Sequence, residues 1–260
     1  MKFSLLAEVV AKWRRDKAEK LAASLAFYSV FAIAPMMMFG LALSTYIAQR
    51  REATDFFQAI SERLLGPRAA ESLRPVLESG GHPRGSATVI GALTLLFGAS
   101  STFFHLEDIV NMIWGVAQGR AGLADYVRRR VFSFFLVIAM TLLFLVAPTL
   151  TIVVAGLGRS QTAAALLSFV LEALFFATIF KVLPDAPVHW RDVWSGAILT
   201  AAAFAVAQAL MGLYLGRIAS RSLYGGAGAF LALLFWLYVS AQILLFGAEF
   251  VAVRASHRRG

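Results

Sequence analysis

Six apolar runs separated by short polar segments organise this chain: Leu21–Ala48, Ala87–Phe104, Val131–Gly156, Thr162–Phe180, Val193–Leu215 and Gly228–Val253. Each reaches at least the ~18 residues that cross about 30 Å of hydrocarbon as an α-helix. The runs are continuous, unlike the ~10-residue alternating strands of a membrane barrel. The pattern predicts an all-α fold, a polytopic membrane helical bundle of six transmembrane helices. Before the first run, Phe3–Lys20 interleaves Phe3, Leu5, Leu6, Val9, Val10 and Trp13 with Lys12, Arg14, Arg15, Lys17 and Lys20. This predicts an N-terminal amphipathic helix on the cytoplasmic membrane surface, its cations near anionic headgroups.

Between the first two runs, residues 49–86 form a long polar loop with two short amphipathic stretches, Asp55–Leu65 and Ala69–Leu77. Gly66-Pro67 and Gly80-Gly81-His82-Pro83 punctuate them, predicting a small extracytoplasmic helical cap. The other connections are short, so residues 1–260 read as one membrane domain. In the fifth run Ala197, Ala201, Ala205 and Ala209 recur every four residues, and Gly212 and Gly216 extend the small face. Such a face lets helix backbones approach closely. Packing within the monomer is favoured over a homo-oligomer contact.

Composition agrees with the pattern. Hydrophobic residues make up 59% of the 260 positions and charged residues 15%, and the mean hydropathy is +0.72. The net charge of +9 is distributed as a membrane protein requires rather than as a nucleic-acid surface. With both termini inside, the inner segments carry fifteen Lys and Arg and the outer segments nine. The positive-inside rule then gives N-in, C-in. With no cysteine, the chain offers no disulfide framework and no thiolate chemistry. Met1–Lys20 lacks a cleavable signal pattern, so the first apolar run is expected to remain as a span.

Polar residues inside the runs are the candidate functional groups, because a carboxylate in hydrocarbon is costly unless it faces protein or water. Tyr238, Gln242 and Glu249 fall within about 40° of one another on the last helix. Glu172 sits near the middle of the fourth run and reads either as a coupling site or as a carboxyl hydrogen-bonded across helices. Glu249 lies five residues before Arg254, so ion pairing or snorkelling explains it cheaply. Gln208 reads as interhelical glue. Ser24 and Tyr28 share a face with Pro35, and a proline-kinked helix with a polar face can border a cavity.

Ala22–Met37 (AASLAFYSVFAIAPMM), Asn111-Met-Ile-Trp114, Tyr224-Gly225 and Trp236–Phe250 (WLYVSAQILLFGAEF) together resemble the YihY / virulence factor BrkB family of bacterial inner-membrane proteins. The resemblance covers essentially the whole chain and marks Asn111, Trp114, Tyr224, Gly225 and Gly247 as family-motif positions; Asn111 and Trp114 stand where an interfacial anchor or a helix cap would serve equally well. It implies a six-span inner-membrane protein, with members linked to envelope integrity, serum resistance or movement of lipid or solute. The family's older label, ribonuclease BN, finds little support in the residues. The histidines His82, His105, His189 and His257 lie in four separate segments. His105, Glu107 and Asp108 are the best metal-like constellation, better read as a solvated helix end. No nucleophile elbow or phosphate loop is present.

The expectation is therefore a membrane protein without catalytic residues, metal or cofactor, which moves or gates a small solute, ion or lipid. Glu172, Glu249, Gln242, Tyr28 and Pro35 would border its cavity between the first, fourth and sixth spans, with Tyr238 beside them. The alternative is a non-transporting envelope scaffold acting through the cap at residues 49–86 and the basic cytoplasmic face. Anionic lipid headgroups are the expected surface partner, and nucleic acid is not expected.

Overall fold

A computed structural model describes residues 2–30, 101–102, 104–116, 161–218 and 225–259, and their regular secondary structure is entirely helical. The helices are α1 (Lys2–Arg15), α2 (described over 18–30), α3 (described over 104–113), α4 (Gln161–Val182), α5 (Trp190–Ile218) and α6 (Gly225–Arg259). Three are long and apolar enough to cross a membrane, through Ala165–Val182, Trp190–Leu213 and Phe230–Arg258. They contain the fourth, fifth and sixth expected spans and overrun each by a few residues. The third expected span, the cap at 49–86 and nearly all of the second span lie outside the described residues, as does the first span beyond residue 30.

The helix ends follow from local chemistry. α4 stops just before Pro184, which supplies no backbone donor. α5 starts where the His189 carbonyl accepts the amides of Asp192 and Val193. Asp192 stands in its first turn, where the helix dipole favours an anion. The N-terminal amphipathic stretch is two pieces rather than one helix over 3–20. α1 ends at Arg15, Lys17 takes a left-handed backbone conformation at φ 52°, and α2 begins at residue 18. Asp16 holds this turn by accepting Lys12 Nζ at 2.5 Å and Arg15 Nε at 3.4 Å.

The chain divides into two compact units. The first comprises Met1–Leu25, Phe103–Met211 and Tyr238–Gly260, and contains one apolar core built from α2, α3, α4, α5 and α6. Small residues set its spacing. A Cβ on Gly247 of α6 would collide with Thr200 Oγ1 of α5 and lie 2.7 Å from Phe180 Cζ of α4. A Cβ on Gly196 would collide with Val251 Cγ2. Ala197 and Ala201 are fully buried, whereas Ala205 and Ala209 are exposed. Of the four alanines, only the first two thus serve close packing within this unit. Phe176 stacks on Phe180 and meets Phe204 edge-on.

On the outside, α4 presents Leu166, Val170 and Leu174 at four-residue intervals, and α5 presents Trp190, Trp194 and Ile198. Contiguous apolar stripes of this kind need a nonaqueous cover, which a bilayer supplies. The second unit comprises Ala26–Thr102 and Gly212–Leu237. Within it Thr102 Oγ1 donates to the Tyr28 carbonyl at 3.1 Å. The Phe27 and Tyr28 rings meet edge to face at 6.0 Å.

Candidate functional site: a buried ion cluster

The inward face of α1 carries Val9, Lys12 and Trp13. Val9 is fully buried, and the Trp13 ring lies 5.9 Å from that of Phe246 on α6. Between these two anchors Lys12 points into the protein rather than toward headgroups. Its ammonium meets three oxygens from three elements: Asp16 Oδ2 at 2.5 Å, Glu249 Oε2 at 2.7 Å and the Ile113 carbonyl at 2.8 Å. Lys12 is 17% exposed and the Glu249 side chain 0%. The Glu249 contact is an ion pair without hydrogen-bond alignment. Among the described residues neither Glu249 oxygen has a hydrogen-bond partner.

Burial pushes the Asp16 carboxyl up, but hydrogen bonding and charge from Lys12 and Arg15 outweigh it and hold the group below its ordinary value. The cation for Glu249 thus comes from α1, not from the nearby Arg254. Arg254 Nε instead lies 3.3 Å from Asp192 Oδ1, and Arg258 Nη1 lies 3.2 Å from Asp192 Oδ2. Asp192 is itself buried, so one acid at the start of α5 fastens the C-terminal turns of α6. At the rim, His257 Nε2 lies 3.1 Å from Glu8 Oε2, both about half exposed. A cavity of about 700 Å³ opens beside the cluster, lined by Glu8, Lys12, Arg15, Trp114 and Ser256 among others.

Asn111, expected as an interfacial anchor or helix cap, is a clamp. Its Nδ2 donates to Asp185 Oδ2 at 3.1 Å, and the Asp185 amide donates to its Oδ1 at 2.8 Å. The buried amide thereby fixes the α4–α5 turn to α3. Trp114 packs against the core and lines the cavity.

Glu172 and Gln208, singled out separately from sequence, come together. Gln208 Nε2 donates to Glu172 Oε1 at 2.9 Å, so the acid's described hydrogen bond runs to α5 rather than α6. Tyr238 packs against the core, and Gln242 is half-buried on the same helix. Ser24 Oγ donates to the Leu21 carbonyl at 2.8 Å and lies 3.1 Å from His105 Nε2. With the hydroxyl proton used, that pair places a proton on His105 Nε2. Burial lowers the His105 pKa, partly offset by Asp108.

Tyr28 is exposed and belongs to the second unit. Pro35 and Tyr224 lie outside the described residues, and Gly225 opens α6. Among the described residues no three His, Asp or Glu side chains converge in a metal-holding group.

Sequence reasoning missed Asp192, Asp185 and the inward role of Lys12. The one readable signal was the four-residue spacing of Lys12 and Asp16. Nothing in the sequence pairs Lys12 with Glu249 across 237 positions.

The family model described as virulence factor BrkB matches residues 9–260. The chain is 27% identical over 254 residues to a UPF0761 membrane protein of Pseudomonas aeruginosa, covering 94% of this chain and 61% of that protein. It is 29% identical over 258 residues to a UPF0761 membrane protein of Aromatoleum aromaticum, covering 95% and 63%. A UPF0761 membrane protein of Stenotrophomonas maltophilia is 28% identical over 257 residues, covering 95% and 60%. The chain thus spans about three fifths of the length of the curated relatives it matches. No solved structure matches it.

Proposed function

The chain belongs to the virulence factor BrkB family of membrane proteins, and from that premise we propose that it is a multi-pass protein of the bacterial inner membrane that moves or gates a small solute, ion or lipid. The observation that supports this reading is the Lys12–Glu249 contact with a cavity beside it. Replacing a buried ion pair by apolar residues is often neutral or stabilising, so stability alone gives little reason for one here. A pair that joins a peripheral helix to a membrane-length helix, with its lysine on the wall of a cavity and its acid enclosed behind it, suits a gate that another charged group can open.

Lys12, Arg15, Arg254 and Arg258 gather in the first unit, around the end of α3, the start of α5 and the end of α6. That concentration supports an N-in, C-in orientation with this end among anionic headgroups. The reading is non-enzymatic, and it takes the Ser24–His105 and Gln208–Glu172 contacts as structural. The scaffold alternative rests on residues 49–86, which lie outside the described residues, and on the same basic face, which by itself does not favour it over transport.

Purified full-length chain in proteoliposomes tests the proposal against gradients of protons, sodium, potassium and small amines, with lipid scrambling read in parallel. The expected result is faster dissipation than in protein-free liposomes, reduced in Glu249→Gln by at least about tenfold, the factor for ~1.4 kcal/mol of lost interaction. Rates equal to those of empty liposomes in every assay would overturn it.

A further inference from the structure

We propose that the oxygen cage around Lys12 Nζ is a binding site for a small molecule bearing a primary ammonium, with the Lys12 side chain as its tethered occupant. The inference rests on the gating reading above and gives that gate a substrate class. A primary ammonium has three donors and no acceptor. The cage presents three oxygens, from Asp16, Glu249 and the Ile113 carbonyl, at 2.5–2.8 Å from one point. They come from the turn after α1, from α6 and from the end of α3, so tertiary packing assembles the cage.

Two further observations point to a ligand. Asp16 is also met by Arg15, but among the described residues the fully buried Glu249 has only the Lys12 ammonium, and its Oε1 has no hydrogen-bond partner there. A second cationic donor arriving there would find an acceptor waiting. The cavity beside the cage supplies the way in, with the Trp114 ring on its wall as a surface for a cation.

The displaced lysine also has somewhere to go. Glu8 stands one helical turn before Lys12 and lines the same cavity. A glutamate four residues N-terminal to a lysine is the favourable order for a helical ion pair. Lys12 therefore exchanges between an inner position on Asp16 and Glu249 and an outer one on Glu8, and a free amine takes the inner position when the side chain swings out.

Thermal unfolding of detergent-solubilised full-length chain tests this, with ethylammonium chloride as the probe and tetramethylammonium, sodium and potassium chloride at equal ionic strength as comparisons. Lys12→Ala should unfold at lower temperature than wild type. Ethylammonium should recover most of that loss saturably, and tetramethylammonium should not. The recovery should vanish in Lys12→Ala/Glu249→Gln. No saturable recovery, recovery unaffected by Glu249→Gln, or recovery by sodium or potassium alone would overturn the proposal.

Should Lys12→Ala fail to fold, two further chains decide the matter. Lys12→Met retains the apolar stem. In wild type, ethylammonium should bind saturably by calorimetry, and Glu8→Gln should raise the half-saturating concentration several-fold by removing the displaced lysine's partner. An unchanged value would overturn the exchange. Recovery without flux in proteoliposomes sinks the gate but keeps the cage, and flux without recovery does the reverse.

Discussion

Glu249 and Glu172 are both carboxylates on apolar, membrane-length helices, and the protein treats them differently. Glu249 is fully enclosed and faces a cation delivered by α1, with no aligned hydrogen bond to either oxygen. Glu172 is half-buried and takes one amide hydrogen bond from Gln208. On its helix Leu166, Val170 and Leu174 face outward. The first acid is balanced by a full charge at short range, where the low local dielectric strengthens attraction and raises the cost of leaving either partner alone. The second is met by a dipole. What distinguishes them is the partner that the fold brings, not the apolarity of the surrounding sequence.

The largest expected effect breaks the charge pair on one side only. Lys12→Ala leaves Glu249 buried without its cation and should destabilise the first unit by about 3–5 kcal/mol. Lys12→Met with Glu249→Leu, which removes both charges and keeps volume, should recover most of that loss. Denaturant titration of the purified protein reads both. A double variant as unstable as Lys12→Ala would show that shape rather than charge holds α1 to α6.

A smaller effect belongs to the other acid. Glu172→Gln should cost about 1 kcal/mol or less, and a double-mutant cycle with Gln208→Leu should give a coupling near ~0.6 kcal/mol, typical of hydrogen bonds inside membrane proteins. A coupling as large as that between Lys12 and Glu249 would erase the contrast.

The smallest effect is on pH dependence. The pKa of His105 is lowered by burial, so the unfolded chain binds its proton first. Its contribution is fully present above its ordinary value of ~6.5 and is lost as pH falls through the lower folded value. Asp16 is also held low, and its contribution is present above the ordinary carboxylate value and lost in more acidic solution. Unfolding midpoints between neutral pH and about pH 5 should therefore fall more for wild type than for His105→Gln. A Lys12→Ala background should not remove that difference, because the Ser24–His105 pair is separate from the Lys12 contacts.

Much of the helical framework was legible beforehand. α4, α5 and α6 follow from run length and from Pro184, because a long apolar run satisfies its own backbone hydrogen bonds as a helix whatever surrounds it. Glu249 was readable as a structural ion pair, but its partner was misplaced: Arg254 is close in sequence, yet it turns to Asp192. The N-terminal cations were read as facing headgroups, whereas Lys12 faces inward because Val9 and Trp13 on either side of it are packed into the protein. Asn111 was read as an interfacial anchor or helix cap, and only the position of Asp185 opposite it makes it a clamp. Of the alanine stripe on α5, Ala197 and Ala201 are buried and Ala205 and Ala209 are not, a distinction that the four-residue period does not contain.

By itself, the sequence determined the helical class, three membrane-length helices among the described residues, the membership in a membrane-protein family and the identity of the acids that need explanation. Those properties depend on local periodicity and composition, which act over a few helical turns. Only the tertiary structure decided which cation meets Glu249, which amide meets Glu172, and that Gly247 is the point where α6 comes against α4 and α5. Each depends on short-range contacts between residues tens to hundreds of positions apart, and the Coulomb, hydrogen-bond and packing energies that select them act over only a few ångströms. The oxygen cage around Lys12 is the clearest case: its parts stand at positions 12, 16, 113 and 249, and the chemistry exists only where the fold gathers them.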